Sequence, residues 1–407
     1  MRNLLSIKEL EARLEPILRS METRGILLDT RYLDKLARSY AVELDVLRAK
    51  IYREAGHEFT LDSPRQLAGI LYAELHLDSG DEIHIRKTKT GRSTAAAQLN
   101  KLFNLHPIVP LVLEYREKKK LLSTYIEPLP KLVDAEGRLH THYSIDTAAG
   151  RLSSRNPNLQ NIPVRSEDGR KIRAAFSAPR GKKLFSIDYS QIELRIAAHL
   201  SGDENLKQAF LKGEDIHTAT AAKMSVDRRV AKAINFGVLF GQGAYGLSEA
   251  LHISHEEAQA FIDQYFATYP KLGEWVEIAQ AEARERGYAE TLLGRRRYLA
   301  EINSSNSTLR SFAERVAINH PIQGAEAEIM ALAMIEINQK IEEKDAALLL
   351  QVHDELVFEA PQSINVQSSV ISRIQKIMEG VIDLAVPIVT EAKCGKNWAE
   401  MENIRGD

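Results

Sequence analysis

The stretch "LLLQVHDELVFEA", residues 348–360, sets two runs of strand-forming apolar residues on either side of His353, Asp354 and Glu355. That order reads as a β-hairpin with Asp354 and Glu355 at its turn, where charge is least costly to place. An ordinary solvated turn has the same composition, because Asp is common in turns. The rest of the chain has to decide. In "LFSIDYSQIELR", residues 184–195, an apolar strand ends at Asp188 and Glu193 follows at the start of a helix. A carboxylate there also serves as a helix cap. If both strands share one sheet, however, Asp188 and Asp354 meet. Two such carboxylates repel unless cations lie between them, and a pair of Mg²⁺ ions about 3.5–4 Å apart is the arrangement that serves in-line phosphoryl transfer. In such an arrangement one ion would activate a hydroxyl nucleophile and the other would neutralise charge on a leaving pyrophosphate.

The 407 residues are enough for two or three compact units, and 27% charged with 44% hydrophobic residues leaves no room for a disordered majority. A net charge of -2 gives no bulk attraction to a polyanion, so such a site must come from local clustering of Lys and Arg. The single cysteine, Cys394, excludes an internal disulfide and a thiolate metal cluster, and fits a structural residue in a reducing compartment. No apolar run approaches the roughly 18 residues that span a bilayer. The first residues, "MRNLLSIKELEARLEPIL", mix acids into an amphipathic pattern, so neither leader nor anchor is expected and the location expected is cytoplasmic.

Periodicity predicts helices over most of residues 1–140, interrupted by "EIHIRKTKTGRSTAAAQL". There Arg86, Lys87, Lys89 and Arg92 surround Gly91, either as a solvated loop or as a tip that grips phosphate. A turn-rich β segment, residues 137–165, leads to the strand and helix around Asp188. Helices fill about 200–300 and close on "TLLGRRRYL". The remainder is expected to hold a long helix from Phe312 to about Lys340, the hairpin, a helix from Val370 to Met378, and a final strand "VPIVTEAKCG". The fold class expected is α+β, with strands of two separated segments in one antiparallel sheet.

In "DRRVAKAINFGVLFG", Arg228, Lys232, Phe236 and Phe240 recur at every fourth position and form one stripe on a helix. Two cations followed by two rings match a triphosphate followed by a base. An amphipathic helix with one solvated and one buried end would share the pattern. His217, in "DIHTATA", taken alone reads as structural. Amides and arginines gather in two places, Arg151, Arg155, Asn158, Gln160, Asn161 and Arg165 in the turn-rich segment and Arg315, Asn319 and Gln323 in "ERVAINHPIQG". Such side chains suit phosphates and minor-groove acceptors, although any one of them also serves a loop backbone.

The words "TAAGRLSSRNPNLQNIPVR", "DYSQIELR", "DIHTATA", "RRVAKAINFG", "TLLGRRR", "INHPIQG", "QVHDELVFE" and "GKNW" stand in the order found in family A DNA polymerases, the bacterial DNA polymerase I type, which the chain resembles from roughly Tyr115 to Trp398. The resemblance implies a right-hand polymerase fold with an antiparallel-sheet palm, helical fingers and a helical thumb. The expected division is thumb 1–140 with a basic tip near 86–92, palm 141–198 and 301–407, and fingers 199–300. It implies a monomeric, DNA-directed DNA polymerase acting on primer-template DNA and deoxynucleoside triphosphates with two Mg²⁺ ions, for which Mn²⁺ is expected to substitute. Asp188 and Asp354 would hold the metals, with Glu355 a nearby carboxylate of lesser role and His353 near the primer terminus. Arg228, Lys232, His217 and Gln191 would bind the triphosphate, Lys232 giving a proton to pyrophosphate. Glu193 and the ring of Phe236 would crowd a ribose 2′-hydroxyl, and Phe in place of Tyr at 236 implies poor use of dideoxynucleotides. Arg151 and Gln323 would read minor-groove acceptors, among DNA contacts that include Asn158, Gln160, Arg165, Arg315 and Asn319.

The sequence departs from the family at Phe240, where Tyr is usual, at Glu328, where Asp is usual, and in the short connector between His217 and Arg228. That connector puts the mutual placement of these two residues in question. Because the chain opens at the thumb, no 3′ to 5′ exonuclease is expected in it. The alternative is a catalytically weak primer-template binding protein with the same fold, whose signature would be loss of a metal carboxylate. Asp188 and Asp354 are both present.

Overall fold

A computed structural model describes residues 5–79, 85–88, 91–164 and 166–404, so Lys89 and Arg165 lie outside the described residues. The chain packs as two compact units, one made of Met1–Ile26, His140–Asn161 and Ala178–Asp407, the other of Leu27–Leu139 and Ile162–Ser177. Residues 140–161 are thus grouped with the first unit and residues 162–177 with the second.

In the first unit, β1 (Lys182–Tyr189), β2 (Ala347–Val352), β3 (Glu355–Pro361), β4 (Thr390–Gly395) and β5 (Met401–Asn403) form one antiparallel sheet in the order β2-β3-β1-β4-β5. Every residue of β2 and the middle of β3 are buried, which is why these strands read as continuous apolar runs instead of alternating ones. The rings of Phe185 and Phe358 stack across β1 and β3 with centroids 4.8 Å apart. Helices α1 (Ile7–Arg24) and α6 (Ile364–Glu379) lie on the sheet, and α5 (Ser307–Lys340) packs against both and against α2 (Ile192–Ser201). Helix α5 starts five residues before the expected Phe312 because Asn306 caps it, accepting from the amides of Thr308 (3.0 Å) and Leu309 (3.3 Å).

Two strand boundaries differ from expectation. The hairpin turn is His353–Asp354, and Glu355 is already the first residue of β3, opposite Val352 on one side and Asp188 on the other. His353 takes the left-handed conformation (φ 58°) that closes so tight a turn. The last strand starts only at Thr390, since Pro387 has no N–H for a ladder and its carbonyl accepts from Arg195 Nη1 at 2.6 Å.

In the second unit the helices Thr30–Ala55 and Ile108–Leu121 pack together, and Leu27 and Leu28 pair with Ser177 and Phe176. Lys118 is buried between Glu43 (2.8 Å) and Asp168 (3.3 Å), beneath the Tyr40 ring. In the basic loop Lys87 pairs with Arg92 across a short hairpin. Arg86 and Lys87 are exposed, while Arg92 is tied to Asp78.

Phe358→Ala removes half of a stacked, fully buried pair and is expected to cost about 3–5 kcal/mol, read from urea denaturation. A loss under about 1 kcal/mol would mean that this ring pair does not anchor the sheet.

Candidate active site

The β1–β3 register brings the two expected carboxylates together. Glu355 lies opposite Asp188, and the amide of Tyr189 donates to the Asp354 carbonyl at 3.1 Å, which sets Asp354 at the end of the same pairing. Burial, then Asp354, then Glu355 push Asp188 up to about 8, with Lys393 opposing. Asp354 is raised too, by burial first, and accepts a hydrogen bond from Asp188. Without a cation the pair therefore keeps a proton. Asp188 Oδ1 is buried with no hydrogen-bond partner. A buried carboxylate oxygen without a donor beside a second carboxylate fits a hard cation such as Mg²⁺, which prefers oxygen ligands. These two residues would hold it.

The stripe is where the periodicity puts it. Helix α4 (Arg228–Leu239) is capped by Asp227, and Phe240 follows at its end. The rings of Phe236 and Phe240 lie near parallel at 6.3 Å. His217, on α3 (Ile216–Met224), packs its ring 5.4 Å from Phe236 and is 3% exposed. Asn235 Nδ2 donates to His217 Nδ1 at 3.0 Å, which leaves the proton on Nε2. The connector between α3 and α4 is three residues, Ser225 to Asp227, and Ser225 turns in the left-handed region (φ 55°). Short as it is, it leaves His217 against Phe236 and Arg228 against the start of α3.

The partner of Arg228 there is Asp215, which receives its Nε at 3.0 Å and Nη2 at 2.9 Å, also caps α3 through Thr218, and accepts from Gln191 Nε2 at 3.3 Å. The Arg228 hydrogen bond holds Asp215 well below the usual carboxylate range. Lys232 follows one turn later, half-buried. Sequence reasoning passed over Asp215, although its place just before an apolar helix marks it as a cap.

A second passed-over acid is Glu326. Arg151 reaches both Glu193, at 2.5 Å from Nη2, and Glu326, at 3.0 Å from Nε with a further short contact from Nη2. Glu326 is 4% exposed, and burial pushes it up to about 7 against the pull of Arg151; burial raises Glu193 likewise.

The expected DNA contacts scatter. His353, Asn158 and Arg315 are exposed, Arg315 lying over the Phe312 ring at 5.9 Å, and Gln323 is half-buried. Asn319 has a buried Oδ1 without a hydrogen-bond partner. Gln160 is buried, donates to Gln351 Oε1 at 2.9 Å and accepts from the Ser154 amide at 3.1 Å, so its amide ties the turn-rich segment to the hairpin. Glu328 accepts from the Thr291 hydroxyl and from the Leu293 amide at 3.0 Å, fixing the "TLLGRRR" turn. Among the described residues no helix is long and apolar enough to cross a membrane.

The family model for DNA polymerase family A matches residues 30–400. The thermostable DNA polymerase I of Thermus aquaticus is 50% identical over 405 residues, covering 96% of this chain and 48% of its own length. The DNA polymerase I of Deinococcus radiodurans is 46% identical over 403 residues, with 96% and 41% covered. The chain thus spans about half the length of the curated relatives it matches. A solved structure, the POL domain of Pol1 from M. smegmatis in complex with DNA primer-template and dNTP, superposes with a TM-score of 0.89 at 39% identity, covering 96% of this chain and 70% of that one.

Burial holds the His217 imidazole below its usual 6.5, with Lys232 and Arg228 adding to that effect and Asp215 opposing it. The unfolded chain therefore takes up this proton first, and His217 withdraws stability as the pH falls below 6.5. An NMR titration of the ring is expected to give a midpoint under 6.5; one at or above 6.5 would contradict this burial.

Proposed function

The chain belongs to DNA polymerase family A, with the α+β polymerase fold, and from that premise we propose that it extends a primer 3′ end on a DNA template, adding deoxynucleotides and releasing pyrophosphate. The observation that carries the proposal is the buried Asp188–Asp354 pair, whose proton-retaining electrostatics and donor-free oxygen suit two divalent ions. Bound there, Mg²⁺, or Mn²⁺ in its place, would supply Lewis acidity toward the primer hydroxyl and the phosphates. The chain's own groups do the rest. Asp188 and Asp354 carry the negative charge that retains the ions, and Glu355 raises that charge from the neighbouring strand position. Arg228 gives up Asp215 for the triphosphate, an exchange of one anion for another that carries more charge. Lys232, one turn along, joins it and delivers a proton to the departing pyrophosphate. Gln191 and the Nε2–H of His217 complete the phosphate pocket, and the base stacks by Phe236 and Phe240.

Glu193, at the start of α2, stands with the Phe236 ring as the gate against a 2′-hydroxyl. Arg151 and Gln323 test the shape of the terminal base pair from the minor groove, with His353 at the primer end and Asn158, Arg315 and Asn319 toward the DNA backbone. Under this reading residues 141–198 and 301–407 act as palm, 199–300 as fingers and 1–140 as thumb. The chain works as a monomer.

Extension of a labelled primer with four deoxynucleotides and Mg²⁺ tests it. The wild type is expected to extend, and Asp354→Ala to lose at least about a hundredfold in rate. Duplex binding without extension by the wild type would favour the binding-protein reading. Dideoxynucleotides are expected to compete poorly, with Phe236→Tyr improving their use. Equal use by both proteins would remove Phe236 from sugar recognition.

A further inference from the structure

Glu326 is a buried acid whose neighbourhood supplies one guanidinium, that of Arg151, while Glu193 and Asp354 act against its ionisation. A buried carboxylate of this kind is costly, and a residue on a helix of small apolar side chains, "GAEAEIMALAM", has no packing reason to carry one. What it does is divide Arg151. Nε and Nη2 both engage Glu326, and only Nη2 also reaches Glu193. A guanidinium fork left with one carboxylate turns both donors to it. Glu326 thereby keeps Arg151 from closing bidentately on Glu193. A cavity of about 170 Å³, lined by Arg151, Gln160, Glu326, Gln351 and His353 among others, adjoins the guanidinium and gives it room to turn.

We propose that Glu326 is a positioning residue for sugar selection, one that acts through Arg151 to fix where the Glu193 carboxylate stands. This rests on the polymerase reading and on Glu193 as its gate. With Glu326 neutralised, Arg151 pairs with Glu193 alone and draws its carboxylate toward α5, so the space for a ribose hydroxyl opens. A purely structural role would lower stability without touching selectivity.

The test is the ratio of kcat/KM for a deoxynucleotide to that for the matching ribonucleotide in single-nucleotide insertion. Glu326→Gln is expected to lower the ratio roughly tenfold, within the range of coupling seen for contacting groups of one ion-pair network. Glu326→Asp, which keeps the charge, is expected to recover most of it, leaving a loss of about two- to threefold. In a Glu193→Ala background both substitutions are expected to leave the ratio where Glu193→Ala alone sets it. An unchanged ratio in folded Glu326→Gln, or the same drop without Glu193, would overturn the proposal. If Glu326→Gln does not fold, the Glu326→Asp comparison with and without Glu193 decides in the same way. A wild type that extends no primer would instead overturn the polymerase reading beneath it.

Discussion

The site depends on one constraint, the pairing of β1 with β3, which brings two carboxyl groups into a buried place where both cannot be ionised alone. The apolar strands around them, stacked through Phe185 and Phe358, hold the two carboxyl groups side by side, with a proton shared between them when no cation is present. A sheet of this kind does not relax to separate the acids. It leaves a demand for positive charge, which a divalent cation can meet.

The cationic side chains follow a complementary rule. Arg228 and Arg151 are already paired, with Asp215 and with Glu193 and Glu326. For Arg228, which is largely exposed, solvent makes the pair weak, so a phosphate can replace the carboxylate at little cost. For Arg151 the partner Glu326 is buried, and breaking that pair would strand a charge. The two arginines are thus held differently, Arg228 in an exposed pair that a competing anion can exchange and Arg151 in a buried one that resists exchange.

Much of this was legible in the sequence because it is local. The fourfold spacing from Arg228 to Phe240 defines a helix face, and the apolar runs around Asp188 and Asp354 define strands. The turn offset by one residue at His353 was not legible, since both His-Asp and Asp-Glu satisfy the pattern and only the left-handed backbone of His353 decides between them. The tie of Gln160 to Gln351 was not legible because the two are 191 positions apart, and Glu326 was passed over because Arg151 is 175 positions away. An acid within a small-residue helix was the visible sign of Glu326, but pattern alone does not say which cation it will meet.

The central claim is that Asp188 and Asp354 jointly bind two metal ions. Electron paramagnetic resonance of bound Mn²⁺ tests it most directly, in a complex with primer-template DNA and a non-hydrolysable deoxynucleotide. The wild type is predicted to show two ions close enough for their spins to couple, and Asp188→Ala to lose the coupled pair while still binding DNA. A coupled pair that survives Asp188→Ala, or a wild-type complex with DNA and nucleotide bound and no coupled pair, would contradict the account.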